Sequence, residues 1–289
     1  MAKFYNLKPL YLGAEILGLD LKQALSNDVI KQIKRDVTKY RILVFRNQGK
    51  IHGDRHVEIA RWFGEIDNVT FAKHPKSPNI NVFRVSNDPH EGCTGVGTTG
   101  WHIDGTFRQC PYSYSLYHMY EVPTVGGDTM FFPFTELIEQ LSDETRCHFE
   151  RLWMLSDRRG ELVHPLIYPH PKTGRPTMCV HLGMINAFAY DLDKEDRDKV
   201  QISSITGTKD ILCKIQACID EYANIYSHKW QNTGDFIISD NLAVAHQAGP
   251  ISPSVDIAGL RVLHRVTVLG TQTPSKYYTE YTDIDNCAY

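Results

Sequence analysis

The sequence predicts a mainly β chain with flanking helices, built as a β-sandwich or jelly roll. Three observations carry that reading. Short apolar or alternating runs recur along the chain between glycine- and proline-bearing turns, the pattern of buried or half-buried strands. Helical periodicity is confined to the first 64 residues and to later inserts, which puts helices around a β framework. The 289 residues contain no internal repeat or low-complexity stretch and read as one domain.

Leu10 to Leu21, punctuated by Gly13 and Gly18, reads as a strand and turn. Ser26 or Asn27 can cap a helix whose apolar residues Ile30, Ile33, Val37 and Tyr40 recur at helical spacing. Arg41 to Arg46 is a buried strand, and Asp54 can cap a second helix through Ile59, Ala60 and Phe63 that stops at Gly64. Ile80 to Val85 is another strand, and the polar, glycine-rich stretch from Asp88 to Gly100 is a loop placed where substrate lids occur. Ser113 to Val122 and Asp128 to Phe132 read as a strand pair joined by a turn with Pro123, Gly126 and Gly127. Phe134, Leu137, Ile138 and Leu141 follow a helical period, and Ser142 caps a short helix to about Leu152. Leu166 to Tyr168 and Thr177 to Val180 flank a hairpin turn, Pro171 to Arg175. Ile211, Ile215, Ile219, Tyr222 and Ile225 form a core-facing helical stripe. Two strands, Gly234 to Ser239 and Leu260 to Leu269, enclose a loop containing His246.

Composition excludes several classes of function. A net charge of -3, with lysine and arginine scattered, leaves no basic footprint for nucleic acid. The N-terminus lacks a signal-peptide pattern and no run approaches a membrane span, so no membrane partner is expected. Seven widely spaced cysteines without a CxxC pair suit reduced thiols and a cytoplasmic location. A small-molecule substrate remains the natural partner, and the sequence does not decide between a monomer and a homo-oligomer.

The chemistry starts at Trp101-His-Ile-Asp-Gly-Thr-Phe107. On a strand, residues i and i+2 share a face, so His102 and Asp104 would project together as two of the three ligands of a non-haem iron site. Alone, an HxD pair is weak evidence in a chain with 13 histidines. His246 follows the strand ending at Ser239; by itself it reads more often as an ordinary hydrogen-bonded histidine than as a ligand. In Gly259-Leu-Arg-Val-Leu-His-Arg-Val266, alternation puts Arg261, Leu263 and Arg265 on one face and Val262, His264 and Val266 on the other. Two guanidinium groups on an apolar face need anions. Their Cα atoms would lie roughly 13 Å apart, enough to serve two anionic groups. The bland alternative is a pair of structural salt bridges, and His264 reads as a core or surface histidine.

Together, WHIDGTF (101–107), GGDTMFFP (126–133), HPLIYPHPKTGRP (164–176), GDFIISDN (234–241) before His246, and GLRVLHRVTVLG (259–270) resemble the taurine dioxygenase (TauD/TfdA) family of Fe(II)- and 2-oxoglutarate-dependent dioxygenases. The resemblance covers about residues 10–270. It implies a double-stranded β-helix (jelly roll, cupin-like), a facial iron triad of His102, Asp104 and His246, and Arg261 with Thr129 on the distal carboxylate of 2-oxoglutarate. Fe(II), 2-oxoglutarate and O2 would then oxidise a small molecule, with release of succinate and CO2. Hydroxylation is the default outcome, with desaturation or ring closure as alternatives. Arg265 matches the position that contacts an anionic group of the substrate, and Phe107 and Met184 match pocket walls.

The chain also departs from the pattern. It reads Ser239-Asp-Asn-Leu242 where relatives often read WDNR, and Phe63-Gly-Glu-Ile-Asp-Asn-Val-Thr70 lacks the histidine that helps the taurine enzyme bind sulfonate. Taurine is therefore doubtful. Glu65 or Asp67 could meet a substrate ammonium, which would suit an amino acid, or stand as solvated surface charges. Two other classes compete: a catalytically silent relative that binds or senses a metabolite, and a metal-binding cupin of different chemistry. The triad with Thr129 and Arg261 argues against both.

Overall fold

The computed structural model describes residues 4–68, 74–157, 162–194, 200–222 and 224–277. Among them, four sheets form. The largest has seven strands in the order β1 (Asn6–Pro9), β2 (Ala14–Leu17), β3 (Ile42–Phe45), β14 (Phe236–Asp240), β5 (Tyr114–Glu121), β16 (Val262–Val268) and β4 (Phe83–Ser86). All its neighbours are antiparallel except β2 and β3. Facing it are β13 (Tyr226–His228), β6 (Thr129–Pro133) and β15 (Val244–Ala248), extended by single bridges from His246 to His102 and from His102 to His181. A four-stranded insert, β12 (Gln201–Ile202), β11 (Ile185–Tyr190), β7 (Leu152–Ser156) and β8 (Val163–Pro165), and the hairpin β10 (Pro176–Met178) with β9 (Ile167–Pro169) complete the β structure.

Side-chain alternation explains why the two main sheets stack. Ile42 and Val44 of β3, Ile237 of β14 and Leu263 of β16 point inward and meet Phe131 of β6 and Val244 of β15. Leu43, Phe45, Phe236, Ile238 and Val266 point to the opposite face, where two helices cover them. These are α1 (Asn27–Tyr40), presenting Ile33 and Val37, and α2 (Gly53–Arg61), presenting Val57, Ile59 and Ala60. The outer face of the smaller sheet, with Phe132 and Ala245, is covered in turn by α3 (Phe134–Gln140), α4 (Asp143–Glu150) and α5 (Ile205–Glu221), with Ile211, Ile215 and Ile219 of α5 in that core. A last short helix, α6 (Val255–Ala258), precedes β16. Two stacked sheets joined by crossing connections, with helices outside, make a double-stranded β-helix.

The expected helices form, with local corrections. Ser26 caps α1 by accepting from Val29 N–H, whereas α2 is capped by His52, and Asp54 lies inside its first turn. The strand expected at Ile80 begins only at Phe83. Ser142 caps α4 as read, but the helix ends at Glu150, and Leu152, placed in it, opens β7. The larger correction concerns β5 and β6. They do not pair with each other: β5 sits between β14 and β16, and β6 between β13 and β15 in the facing sheet. The turn between them carries the chain across the sandwich, and a crossing turn uses the same proline and glycine chemistry as a hairpin.

Candidate active site

His102 and Asp104 are not on a named strand. The segment Trp101–Ile103 is a single-residue bridge laid between β15 and residues 180–182, and the chain turns immediately after it. Backbone bonds run from His102 N–H to the His246 carbonyl (3.1 Å), back from His246 N–H to the His102 carbonyl (2.9 Å), and from Ile103 N–H to the Val180 carbonyl (3.0 Å). The alternation expected of a strand survives, because Trp101 and Ile103 enter the outer core while His102 and Asp104 face the space between the sheets. His246 is likewise not on a loop. It sits in the middle of β15, directly opposite Phe131. Gly105, with φ +84°, makes the turn after Asp104, and a Cβ there would lie 2.8 Å from the Tyr112 ring.

The ligand atoms of His102, Asp104 and His246 all lie within 4.8 Å of one another, and all three residues are buried. His102 Nδ1 lies 2.7 Å from the Gly100 carbonyl, an acceptor, so the proton sits on Nδ1 and the Nε2 lone pair is left for a metal. Asp104 is held from three sides. Ser115 Oγ donates to one oxygen (2.8 Å), an Arg265 guanidinium nitrogen donates to the other (2.7 Å), and Asn241 brackets its backbone, accepting from Asp104 N–H and donating to its carbonyl. Burial alone would raise the Asp104 pKa, but Arg265 and the two imidazoles hold it well below the usual carboxylate range. Burial pushes His246 down to about 3 and lowers His102 as well. Two neutral imidazoles and one carboxylate, all oxygen and nitrogen donors, are the set that fits a divalent iron with open coordination positions.

Arg265 and Leu263 lie on the inner face of β16, and Arg261 immediately precedes the strand. Arg265 pairs with Asp104 and also lines a cavity of about 610 Å³ beside the triad. Phe107 and Met184 line the same cavity, as do Phe83, Tyr112 and His181. His181 stacks on His102 with ring centroids 4.5 Å apart. Gly95, Val96, Gly97 and Thr99 bring the loop expected as a lid to the cavity wall, where the Gly97 carbonyl accepts from Ala248 N–H.

Arg261 lies apart from that cavity wall. It is buried, and among the described residues no carboxylate comes within ion-pair distance of it. Its Nε donates to the Gly127 carbonyl (3.0 Å), and its stem packs on Gly127, where a Cβ would stand 2.8 Å from Arg261 Cδ. Burial lowers the guanidinium to about 10, with Asp128 opposing the shift. Thr129 faces the inner side of β6 but makes no hydrogen bond to Arg261; its Oγ1 accepts from Trp230 Nε1 (3.1 Å). His264 faces the other way, buried, with its Nε2 2.8 Å from an Arg84 nitrogen.

The two acids near the cavity separate. Glu65 is exposed, whereas Asp67 is buried in the cavity wall and bound by Arg108 and Tyr112. Sequence reasoning missed Ser115, Asn241 and Trp230. Ser115 carried a usable signal, a polar residue on the inward phase of an apolar strand; Asn241 and Trp230 act through contacts 137 and 101 residues away.

A family model described as "Taurine catabolism dioxygenase TauD, TfdA family" matches residues 3–267. The alpha-ketoglutarate-dependent 2,4-dichlorophenoxyacetate dioxygenase of Cupriavidus pinatubonensis is 25% identical, over 91% of this chain and 96% of its own. The alpha-ketoglutarate-dependent sulfate ester dioxygenase of Pseudomonas putida is 22% identical, over 90% and 87%. Among solved structures, a taurine dioxygenase from Burkholderia xenovorans shares the fold with a TM-score of 0.73, at 24% identity over 92% of this chain and 90% of that one. AAD-2, solved with Mn(II) and N-oxalylglycine, shares it with a TM-score of 0.72, at 20% identity over 94% and 100%. The chain therefore belongs to the taurine catabolism dioxygenase TauD, TfdA family and is an Fe(II)- and 2-oxoglutarate-dependent dioxygenase.

Proposed function

We propose that His102, Asp104 and His246 hold one Fe(II), that Arg261 and Thr129 receive the distal carboxylate of 2-oxoglutarate, and that Arg265, Phe107 and Met184 shape the site for a small anionic substrate. The observation that carries this reading is the buried Arg261 guanidinium, which is influenced by Asp128 but forms no ion pair with a carboxylate among the described residues. A buried cation of that kind suits a ligand that brings its own carboxylate, and a guanidinium fork binds one in two places. Thr129 fits the same role, because Trp230 donates to its oxygen and leaves the hydroxyl proton for an anion.

Fe(II), 2-oxoglutarate and O2 supply the oxidation, in which 2-oxoglutarate becomes succinate and CO2 and one oxygen atom enters a substrate C–H bond. The protein's residues position the parts. Gly100 fixes the tautomer of His102, Ser115 and Arg265 orient Asp104, and Asn241 locks the backbone between them. The loop at 95–99, acting as a lid, and the aromatic walls would keep bulk water from the reacting centre. Arg265 would serve twice, through its bond to Asp104 and through the part of its side chain that lines the cavity.

The substrate class follows from the cavity's charges. Arg265 offers a cation, and Asp67 is already bound to Arg108 and Tyr112, so an anion fits this wall better than an ammonium group. The named relatives act on a phenoxyacetate and a sulfate ester, which supports carboxylates and sulfate esters as first candidates. We read the chain as one domain acting in the cytoplasm without nucleic-acid or membrane partners. In support, Cys110, Cys147, Cys179, Cys213 and Cys218 carry free thiols, and no described helix is long and apolar enough to cross a membrane. Succinate release with Fe(II) and 2-oxoglutarate, screened over small carboxylates, sulfonates and sulfate esters, tests the proposal. Release stimulated by an anion and lost in His246→Ala is expected. Succinate formation that is indifferent to the triad would overturn it.

A further inference from the structure

Strand β5 turns Ser115, Tyr117 and Met119 toward the space between the sheets. Ser115 donates to Asp104, and Met119 packs in the inner core. Tyr117 is different. It is 3% exposed, yet its hydroxyl makes no hydrogen bond to any described residue. The Ser115 hydroxyl acts on it from the same strand face, outside the geometry of a formed hydrogen bond, and gives its own proton to Asp104.

A buried hydroxyl without a partner costs free energy that phenylalanine, of nearly the same shape, would not. Its surroundings indicate what it is for. In the strand register Tyr117 stands opposite Arg265, and its ring lies edge-on to the His246 ring at 6.0 Å and to the Phe131 ring at 6.5 Å. Asp104 and Arg265 both act on it electrostatically, so the hydroxyl belongs to the triad end of the inner face. Arg261, immediately before β16 and four residues from Arg265, occupies the other end. A phenol is protonated near neutral pH, which makes it a donor.

We propose that the Tyr117 hydroxyl donates a hydrogen bond to the 2-oxo acid end of bound 2-oxoglutarate, while Arg261 takes the distal carboxylate. The cosubstrate is then held at both ends by residues that lack a protein partner for the groups they offer. This rests on the assignment of Arg261 and the triad made above.

The test is Tyr117→Phe, measured without oxygen in three ways. Calorimetric titration of 2-oxoglutarate into the Fe(II)-loaded variant should show affinity weakened about tenfold or more, the loss expected for a hydrogen bond to a charged group. The iron(II)–2-oxoglutarate charge-transfer absorption should move relative to wild type. The melting temperature of the metal-free variant should be equal to or above wild type, because no bond is lost before the cosubstrate arrives. Wild-type affinity with unmoved absorption would overturn the proposal, as would a lower melting temperature with unchanged affinity, the signature of a purely structural tyrosine. A wild-type protein that fails to bind 2-oxoglutarate at all would instead sink the underlying assignment of Arg261.

Discussion

Arg265 stands on β16 and Arg261 immediately before it, yet among the described residues only Arg265 forms an ion pair with a carboxylate. Arg265 holds Asp104 at 2.7 Å and completes a charge-balanced cluster with the triad. Arg261, more deeply buried and packed against the backbone at Gly127, has a carbonyl for its Nε. Burial shifts it to about 10, which still leaves it a cation at neutral pH. The difference separates two uses of a buried charge. Where the protein supplies an ion-pair partner, the arginine helps build the site; where none is formed, the cation suits an anion brought by a ligand, as proposed for Arg261.

The contrast can be broken most severely by removing Asp104. Asp104→Ala leaves Arg265 without its carboxylate and removes one of the three proposed metal ligands. Metal binding should be lost, and the metal-free protein should lose about 3 kcal/mol in denaturant unfolding, the low end for a broken buried pair because Arg265 keeps some contact with the cavity. Undiminished stability would mean that the pair contributes little.

The opposite face of β16 provides a second contrast, in which burial acts on histidines that have no carboxylate among the causes of their shifts. Burial pushes His118 down to about 4 and His264 to about 3, and it lowers His56 strongly. These groups are neutral when folded but bind protons below about 6.5 when unfolded. The unfolded state therefore binds more protons as pH falls, and stability is lost between about pH 6.5 and 4, at about 1.4 kcal/mol per pH unit for each histidine. His264→Gln should flatten that slope in pH-resolved unfolding curves. An unchanged slope would remove His264 from the account.

Arg265→Lys keeps the charge and loses the fork. Substrate affinity should fall about tenfold and succinate formation without substrate oxidation should rise, because a loosely held C–H bond is poorly placed. Equal coupling for an acid substrate and its neutral amide would leave Arg265 a partner of Asp104 alone. The smallest effect belongs to Thr129→Ala, which strands the Trp230 N–H and removes a hydroxyl donor. A cost of about 1–2 kcal/mol is expected in stability and in 2-oxoglutarate affinity.

The residues at the centre of this comparison were legible because period-two alternation and residue type are local. His102 with Asp104 and Arg261 with Arg265 share faces whether or not the segment is a regular strand. Pairing was less legible. Val-Ala-His-Gln-Ala, a weak strand former, becomes β15 because β6 lies beside it, and a turn with Pro123, Gly126 and Gly127 serves a sheet crossing as well as a hairpin. The groups that orient the ligands were hidden for a related reason. Asn241 reaches Asp104, Trp230 reaches Thr129, and Asp67 meets Arg108 across long stretches of chain that only the fold closes.

The most direct test of the difference between the two arginines is a single anaerobic titration of 2-oxoglutarate into the Fe(II)-loaded protein, comparing Arg261→Ala with Arg265→Lys. The account predicts that Arg261→Ala loses about 3–5 kcal/mol of cosubstrate affinity, while Arg265→Lys binds 2-oxoglutarate as wild type does. Near-native affinity in Arg261→Ala, or an equal loss in both variants, would contradict it.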